Sequence, residues 1–580
     1  MRKGSYMDVI KGRFLKQNFG KILIAIFISW FILSFLIVPN IKIIYDTFFG
    51  TGTFSIESIQ KLVRSERAIR SIFNSIVLAV ILSVTVNIVG ILIVLLLNYF
   101  DIKGSKILKL GFYTTLIYSG VALNFGYKLV YGENGLITKL LMEIFPNLNP
   151  SWFSGLFAVA FVMTFACTSN HVLFLTSAIH SIDFHTVEAA QNLGASQFSI
   201  IRKIVLPTLK PTIFALTILT FLSGLGAVSA PLVFGGNEFE TITPMILTFA
   251  RSATSKNLAT VLALFLGLIT ITVLTFFLRN EAKGNYISIS KTKMKLKKQK
   301  ITNKTANIIM HIIAYVLFAI YTIPVLTIIV FSFTNSKAIS TGQITLDSFT
   351  LKNYATTFSS VNQLKPYLVS LTYGAVASLL VVIFCLICAY LMRKYRNGLT
   401  KTLDYLLMIP WFLPSTLIAI GLIITYNVQN PLVFNRILTG TIWILLIGYI
   451  LTKIPFTIRI CKSAFFGISD EIEEAARNLG SKTIYTFIKV ILPIIIPTVA
   501  GVYALNLIHI LPDYDLSVFL YHPLYQPLGV TIMNATKNTV TGDTKALILV
   551  YTVILMVINT LIMYVVYGKL GFNRKGNDIK

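Results

Sequence analysis

Long apolar stretches recur along this chain, separated by short polar segments. A run of roughly 20 apolar residues can cross the hydrocarbon core of a bilayer as one α-helix. The pattern therefore predicts twelve membrane spans, six in each half of the chain. They lie near 21–39, 74–98, 107–130, 154–180, 211–234 and 257–278, and again near 307–333, 367–392, 403–427, 439–460, 494–512 and 545–567.

Two polar segments between these spans have nearly the same sequence. Residues 188–211 read EAAQNLGASQFSIIRKIVLPTLKP, and residues 474–497 read EAARNLGSKTIYTFIKVILPIIIP. Their numbers differ by 286 throughout without a gap, which indicates duplication of a half-length unit. We therefore predict an all-α polytopic membrane protein made of two tandem parallel repeats of about six transmembrane helices. The predicted parts are a first half at 1–278, a basic cytosolic linker at 279–306 and a second half at 307–580.

Composition supports a membrane protein, because 55% of residues are hydrophobic and only 12% are charged, against about 25% charged in soluble domains. The net charge of +28 does not indicate nucleic-acid binding, since the basic residues gather at the ends of spans. Such clusters mark cytoplasmic segments. We expect a multi-pass protein of the cell (inner or plasma) membrane with both termini in the cytoplasm. The clusters are Arg2, Lys3, Lys11, Arg13, Lys16 and Lys21; Lys103, Lys106 and Lys109; Lys291, Lys293, Lys295, Lys297, Lys298, Lys300 and Lys304; Arg393, Lys394, Arg396 and Lys401; and Lys569, Arg574, Lys575 and Lys580.

Two basic regions allow other interpretations. The first outer loop carries Lys61, Arg64, Arg67 and Arg70, which conflicts with the rule that basic residues stay inside. The linker 279–306 has no apolar face and reads as a solvated tether, although its lysines would also attract anionic headgroups of membrane lipid.

Span counting places the duplicated segments on the cytoplasmic side, in loops 182–206 and 468–492. Each is predicted to form a short helix, a left-handed glycine turn and a second helix. In the second copy Ser469 and Asp470 can cap the short helix, and Glu473 stands at capping-box spacing from Asp470. Asp183 should cap the first copy less well, so we expect two loops of unequal strength. Pro207 and Pro493 should then end or kink the second helix.

The pattern E-A-A, three residues, G, and then a helix ending in I-x-L-P resembles the cytoplasmic loop of ABC-transporter permeases of the binding-protein-dependent importers, which have the type I fold. This resemblance implies coupling helices that sit in grooves of two cytosolic ATP-binding cassette subunits. It also implies an extracellular substrate-binding protein or lipoprotein as a partner. The implied ATPase contacts are Glu188, Ala189, Ala190 and Gly194, and Glu474, Ala475, Ala476 and Gly480.

The chain contains no G-x-x-x-x-G-K-[ST] motif, which is the loop that cradles nucleotide phosphates. We therefore expect a transport subunit rather than an enzyme, with no catalytic residues and no cofactor of its own. ATP and magnesium would bind to the partner subunits.

The fused halves resemble ferric-iron and thiamine permeases. The stretches that begin at Ser229 and Leu511 resemble iron, thiamine and phosphonate permeases, the iron group most nearly, so iron(III) is the preferred cargo. Thiamine, a phosphonate or a polyamine are the alternatives. Oxygen-rich side chains suit a hard cation, and ionisable groups near an apolar helix are functional candidates; they could instead pair with Arg251 or the backbone. No metal site is assigned. The expected path residues are Ser229, Glu238, Glu240, Asp513, Asp515 and Tyr521.

An ion-coupled secondary transporter would also have twelve spans in two halves. It would place acidic or basic residues in mid-membrane, and the apolar runs here carry almost none. A membrane-bound enzyme is a third class, for which the sequence offers no converging nucleophile, base or metal ligands.

Overall fold

A computed structural model describes residues 20, 22–49, 53–117, 120–180, 182–236, 238–252, 255–281, 297–536 and 541–565. The basic clusters before residue 20 and after residue 565, and Lys291, Lys293 and Lys295 of the linker, lie outside these residues. Lys21 does as well. Within the described ranges the chain is helical, with isolated β-bridges and no named strand. The all-α prediction is confirmed.

Thirteen helices form the first half of the described chain. They are α1 (Ile22–Phe49), α2 (Glu57–Arg64), α3 (Glu66–Tyr99), α4 (Ser105–Phe112), α5 (Thr114–Ile117), α6 (Val121–Tyr131), α7 (Leu136–Ile144), α8 (Gly155–Ile179), α9 (Phe184–Asn192), α10 (Gln197–Leu225), α11 (Ser229–Phe234), α12 (Ile242–Ala250) and α13 (Lys256–Glu281).

The second half repeats this order, with two short 3₁₀ helices at Leu346–Ser348 and Pro431–Val433. Its helices are α14 (Lys304–Ser332), α15 (Ser336–Thr341), α16 (Lys352–Ser359), α17 (Val361–Lys394), α18 (Gly398–Phe412), α19 (Ser415–Tyr426), α20 (Ile442–Phe466), α21 (Asp470–Asn478), α22 (Phe487–Ile510), α23 (Ser517–Leu520), α24 (Leu528–Ala535) and α25 (Gly542–Met563).

Ten of the helices in the described ranges are long and apolar enough to cross a membrane, and α18 with α19 would make eleven if that bent pair is one span. Two of the twelve predicted spans, 107–130 and 403–427, are therefore not single continuous helices. In the first half the segment is divided among α4, α5 and α6, and Gly120 before α6 has a positive φ of 63°. In the second half the chain bends by 104° at Leu413, which is extended because Pro414 follows it.

The fifth predicted span of each half begins earlier than its apolar run. Helix α10 starts at Gln197 inside the duplicated loop and continues through Pro207 to Leu225, and α22 continues through Pro493 in the same way. A π-helical turn precedes each proline, at Ile201–Val205 and Phe487–Ile491. Proline lacks the N–H that an α-helical bond needs, and the wider turn accommodates it. Of the two predicted outcomes, an end or a kink, the prolines do not end the helix.

The first spans are exchanged between the halves. Helix α1 packs on α19, where Gly421 lies against Pro39, and α14 packs on α6, where Gly126 lies against Pro324. Small residues allow such close helix approach in membranes. The Trp30 indole also donates to the Leu432 carbonyl at 2.9 Å. Each half is therefore completed by a helix of the other.

Matching serines fix the outer helices. The buried Ser75 hydroxyl on α3 accepts from the Ile242 N–H at the start of α12 at 2.8 Å, and the Ser370 hydroxyl on α17 accepts from the Leu528 N–H at the start of α24 at 2.7 Å. The first N–H groups of a helix lack partners within it. A tertiary contact therefore supplies the cap in both halves.

Candidate functional site

The duplicated loops lie at the same end of the helix bundle. Helix α14 starts four residues after Lys300, whose carbonyl accepts from Gln197 of the first loop. Its far end leads to α15, and Ser336 there contacts Asp543 at the start of α25. Helix α17 begins beside α25 and returns to the second loop, where Arg393 binds Asp470.

Each loop helix begins at one side-chain cap. The Asp183 carboxylate accepts from the His185 N–H at 3.1 Å in α9, and the Ser469 hydroxyl accepts from the Glu471 N–H at 3.2 Å in α21. Ser469, rather than Asp470, is the N-terminal cap of α21, and the relative strength of the two caps stays a prediction. Asp470 lies inside the first turn and binds an arginine instead.

The turns after the two helices are the same. Gly194 and Gly480 have positive φ values of 79° and 81°, which glycine adopts without a steric penalty. The next N–H, from Ala195 or Ser481, donates back to the carbonyl of Ala190 at 3.0 Å or of Ala476 at 3.1 Å. This is the Schellman arrangement that satisfies the last carbonyls of a helix. The predicted left-handed turns are confirmed.

The motif residues present one similar face to solvent in both copies. The residues on that face are exposed except for the half-buried alanines Ala190 and Ala476; the exposed ones are Glu188, Ala189 and Gly194, with Glu474, Ala475 and Gly480. Between the last helical residue and the glycine stands a leucine in each copy, and Leu193 and Leu479 are 88% and 89% exposed. Sequence reasoning missed these leucines, although their identity in both copies was a visible signal. The two leucines share the exposed face of the motif residues and join them as candidates for the predicted contact.

The two loop helices are attached to the bundle differently. Helix α9 buries Phe184 and Val187, whereas α21 buries none of its side chains. The second loop is held by Arg393, which donates to the Phe465 carbonyl at 3.0 Å and to Asp470 at 2.8 Å. The hydrogen bond and the charge of Arg393 lower the pKa of the Asp470 carboxyl below its ordinary value.

A cavity of about 480 Å³ lies between the halves, and it brings together two of the predicted path residues. Ser229 and Asp515 occupy matching positions of the two copies, and both line it. The first half adds Asn124 and Asn170, and the second half adds Thr416. The wall is largely apolar, with several amide and hydroxyl groups and one carboxylate set into it.

The remaining acidic candidates do not converge there. The Glu240 carboxylate pairs with Arg67 at 3.0 Å, and Arg70 donates to the Glu238 carbonyl at 3.0 Å. Asp513 accepts from the Ser517 N–H at 3.1 Å. These contacts correct the expected oxygen-rich set: among the described residues no three His, Cys, Asp or Glu side chains form a metal-binding group. Two of the four basic residues of the first predicted outer loop, Arg67 and Arg70, therefore bind the segment that joins α11 to α12.

Tyr521 lies in a second cavity of about 340 Å³ with Lys128 and Arg251. Sequence reasoning also missed Lys453 in the apolar span α20, which interacts electrostatically with Asp513 and Asp515. A lysine in a span is costly unless it has such partners.

A duplicated all-α membrane chain that presents one matched loop per half at one end, and has a cavity between its halves, has the architecture of a transport subunit. The chain belongs to the family of binding-protein-dependent transport system inner membrane components, whose family model matches residues 111–280 and 348–568. It is accordingly an ABC importer permease.

Relatives of the chain are permease subunits too. It is 36% identical over 532 residues to the probable ABC transporter permease protein y4fN of Sinorhizobium fredii, covering 92% of this chain and 93% of that protein. It is 22% identical to the ferric transport system permease protein FbpB of Actinobacillus pleuropneumoniae, over 94% of this chain and 77% of the relative. The spermidine/putrescine permease protein PotC of Escherichia coli is 25% identical over 42% of this chain and 90% of its own length.

Proposed function

We propose that this chain forms the membrane path of an ATP-driven importer whose two halves open alternately to either side. Two cytosolic ATP-binding subunits dock on α9 and α21 and supply ATP and magnesium, and an extracellular binding protein delivers cargo at the opposite end of the bundle. The observation that carries the proposal is the pair of loops with the same turn and the same exposed leucine at one end of the bundle.

The loops are also built to transmit movement. Each loop helix leads through its glycine turn directly into a helix that continues into the membrane, α10 in the first half and α22 in the second. A displacement of α9 would therefore shift α10, which packs on α3 and borders the cavity near Ser229. This continuity links the docking surface to the path.

Docking is tested by alanine substitution of the exposed face. Leu193→Ala with Leu479→Ala, and separately Glu188→Ala with Glu474→Ala, should abolish cargo uptake and co-purification of the ATPase while leaving expression unchanged. Leu399→Ala is the matched control, because Leu399 is 81% exposed at the same end of the bundle. Normal uptake in both double variants would refute the docking role.

We propose that the loop end faces the cytoplasm, which the basic residues at that end support. Leu193→Cys should react with a membrane-impermeant maleimide in inside-out vesicles and stay unlabelled in intact cells. The reverse pattern would refute this orientation.

For the cargo we propose iron(III). Asp515 gives the cavity a carboxylate, Asp513 lies close to it in sequence, and the relative FbpB is a ferric permease. Uptake of radiolabelled iron should fall to background in cells that lack this chain and return when the wild-type gene is restored. Equal uptake with and without the chain would reject iron.

A polyamine is the second candidate, because one carboxylate among amide and hydroxyl groups also suits an organic cation, and PotC is a relative. Radiolabelled spermidine in the same cells separates the two cargoes. Loss of spermidine uptake together with normal iron uptake would favour the polyamine.

A further inference from the structure

The end of the linker between the halves lies on the first duplicated loop. Residues 297–300, which we name the linker strand, pair with the chain where it leaves α3. The Gln299 N–H donates to the Tyr99 carbonyl at 2.7 Å, and the Asp101 N–H donates to the Gln299 carbonyl at 2.9 Å. Phe100 is extended between them, so these two groups point to one side and form a parallel β-bridge with Gln299.

The linker strand also contacts both helices of the first loop. Gln191 of α9 donates its side-chain amide to the Gln299 side-chain carbonyl at 2.7 Å. Gln197 at the start of α10 donates to the Lys300 carbonyl. The Lys297 ammonium lies 5.4 Å from the centre of the Phe184 ring, a favourable cation–π contact. The strand therefore connects α3 to the helices on both sides of the Gly194 turn.

The corresponding place in the second half is closed differently. After α17 the Tyr395 carbonyl accepts from the Asn397 N–H at 2.8 Å and from the Thr400 hydroxyl at 2.5 Å, so the turn pairs with itself. Arg393 instead reaches across to Asp470. Near the end of α3, the Asn98 side-chain amide donates instead to the Val94 carbonyl and to the Thr176 hydroxyl.

We infer that the linker strand is the positioning element of the first coupling loop, and that it does for α9 what Arg393 does for α21. Residues 297–300 therefore differ from the expected solvated tether, because they hold the first loop in place. The linker joins the halves and positions the first loop, whereas the second loop is positioned by Arg393, a side chain of its own half. The inference rests on the proposed function only in taking subunit docking as the reason why α9 must be held in place.

The test uses the full chain in lipid nanodiscs and measures amide hydrogen exchange of the two loops. Gln299→Pro removes the donor to Tyr99, and it should speed exchange in α9 about fivefold or more while α21 is unchanged. Arg393→Ala should speed exchange in α21 and leave exchange in α9 unchanged. Thr302→Pro is the matched control, since it places the same residue at an exposed position beyond the bridge.

Unchanged exchange in α9 of Gln299→Pro would overturn the inference, and so would equal acceleration in Thr302→Pro. Exchange at the start of α25, which lies at the opposite end of the bundle from the loops, should match the wild type and shows that the variant is folded. The variants Gln299→Ala and Gln191→Ala complete a double-mutant cycle. Their effects on α9 should be less than additive if the two amides act as a pair; additive effects would overturn that contact.

Cargo uptake in cells separates this inference from the docking role. Gln299→Pro should reduce uptake of the cargo identified above, and Thr302→Pro should not. If the paired leucine variant abolishes uptake and Gln299→Pro leaves it normal, the strand does not serve transport. If the leucine variant also transports normally, the docking role fails, while the exchange result still decides the positioning of α9.

Discussion

A close contact between α3 and α10 predicts a sharp difference between two neighbouring glycines. A methyl group on Gly224 of α10 would lie 2.6 Å from the Ala79 Cα and 3.1 Å from its backbone nitrogen on α3. Backbone atoms cannot rotate away, so Gly224→Ala must push the two helices apart. Overpacking of this kind costs about 1–3 kcal/mol. At Gly226 the methyl group would meet only the Leu222 carbonyl at 3.5 Å, an ordinary contact.

We expect Gly224→Ala to lower the midpoint of thermal unfolding in detergent by a few degrees, and Gly226→Ala to stay near the wild type. Size-exclusion chromatography with fluorescence detection after heating measures both variants under the same conditions. Because α10 carries the first loop, Gly224→Ala should also reduce uptake. Equal midpoints for the two variants would refute the idea that α3 and α10 are held at their closest separation by this glycine.

Three further predictions concern other contacts. Ser75→Ala and Ser370→Ala each leave a buried helix N–H without its acceptor, so each should lower the free energy of unfolding by about 1–3 kcal/mol, with roughly additive effects in the double variant by thermal unfolding. The pKa of Asp470 is lower in the folded chain than in the unfolded one, so its ion pair with Arg393 stabilises the second loop at any pH above the unfolded pKa. This stabilisation is lost as the pH falls through the folded pKa. Hydrogen exchange of α21, corrected for the intrinsic rate, should rise on acidification, and Asp470→Asn should remove that pH dependence. Asp515→Asn should impair cargo uptake, whereas unchanged uptake would argue against a role in the path.

The structure of the duplicated loops was largely predictable from the sequence, because its signals are local. Each loop encodes its three features within about 25 residues: a helix, a glycine that requires a positive φ, and an apolar second helix. The duplication repeats all three in the second half. The inequality of the loops was not predictable from caps. It arises from Arg393 and from the linker strand, which are remote in sequence from the helices they hold.

The path residues were predicted less well for the same reason. Ser229 and Asp515 are matched by the duplication and do meet at one cavity. The Glu240 carboxylate instead forms an ion pair with Arg67. This partner is 173 residues away in the chain, and no local pattern indicates it. The broken third spans were hidden because hydropathy averages over Gly120 and Pro414, where backbone geometry interrupts the helix.

The exchange of first spans sets an order for synthesis. The Trp30 indole and its acceptor Leu432 are 402 residues apart in the chain. At about 5–20 residues per second, α1 must wait on the order of 20–80 s before the ribosome has made the helix against which it finally rests. Throughout that interval α1 can pack on first-half helices such as α13, but the notch at Gly421 that receives Pro39 does not yet exist. A chain stopped at its midpoint would therefore leave the α19-facing side of α1 uncovered.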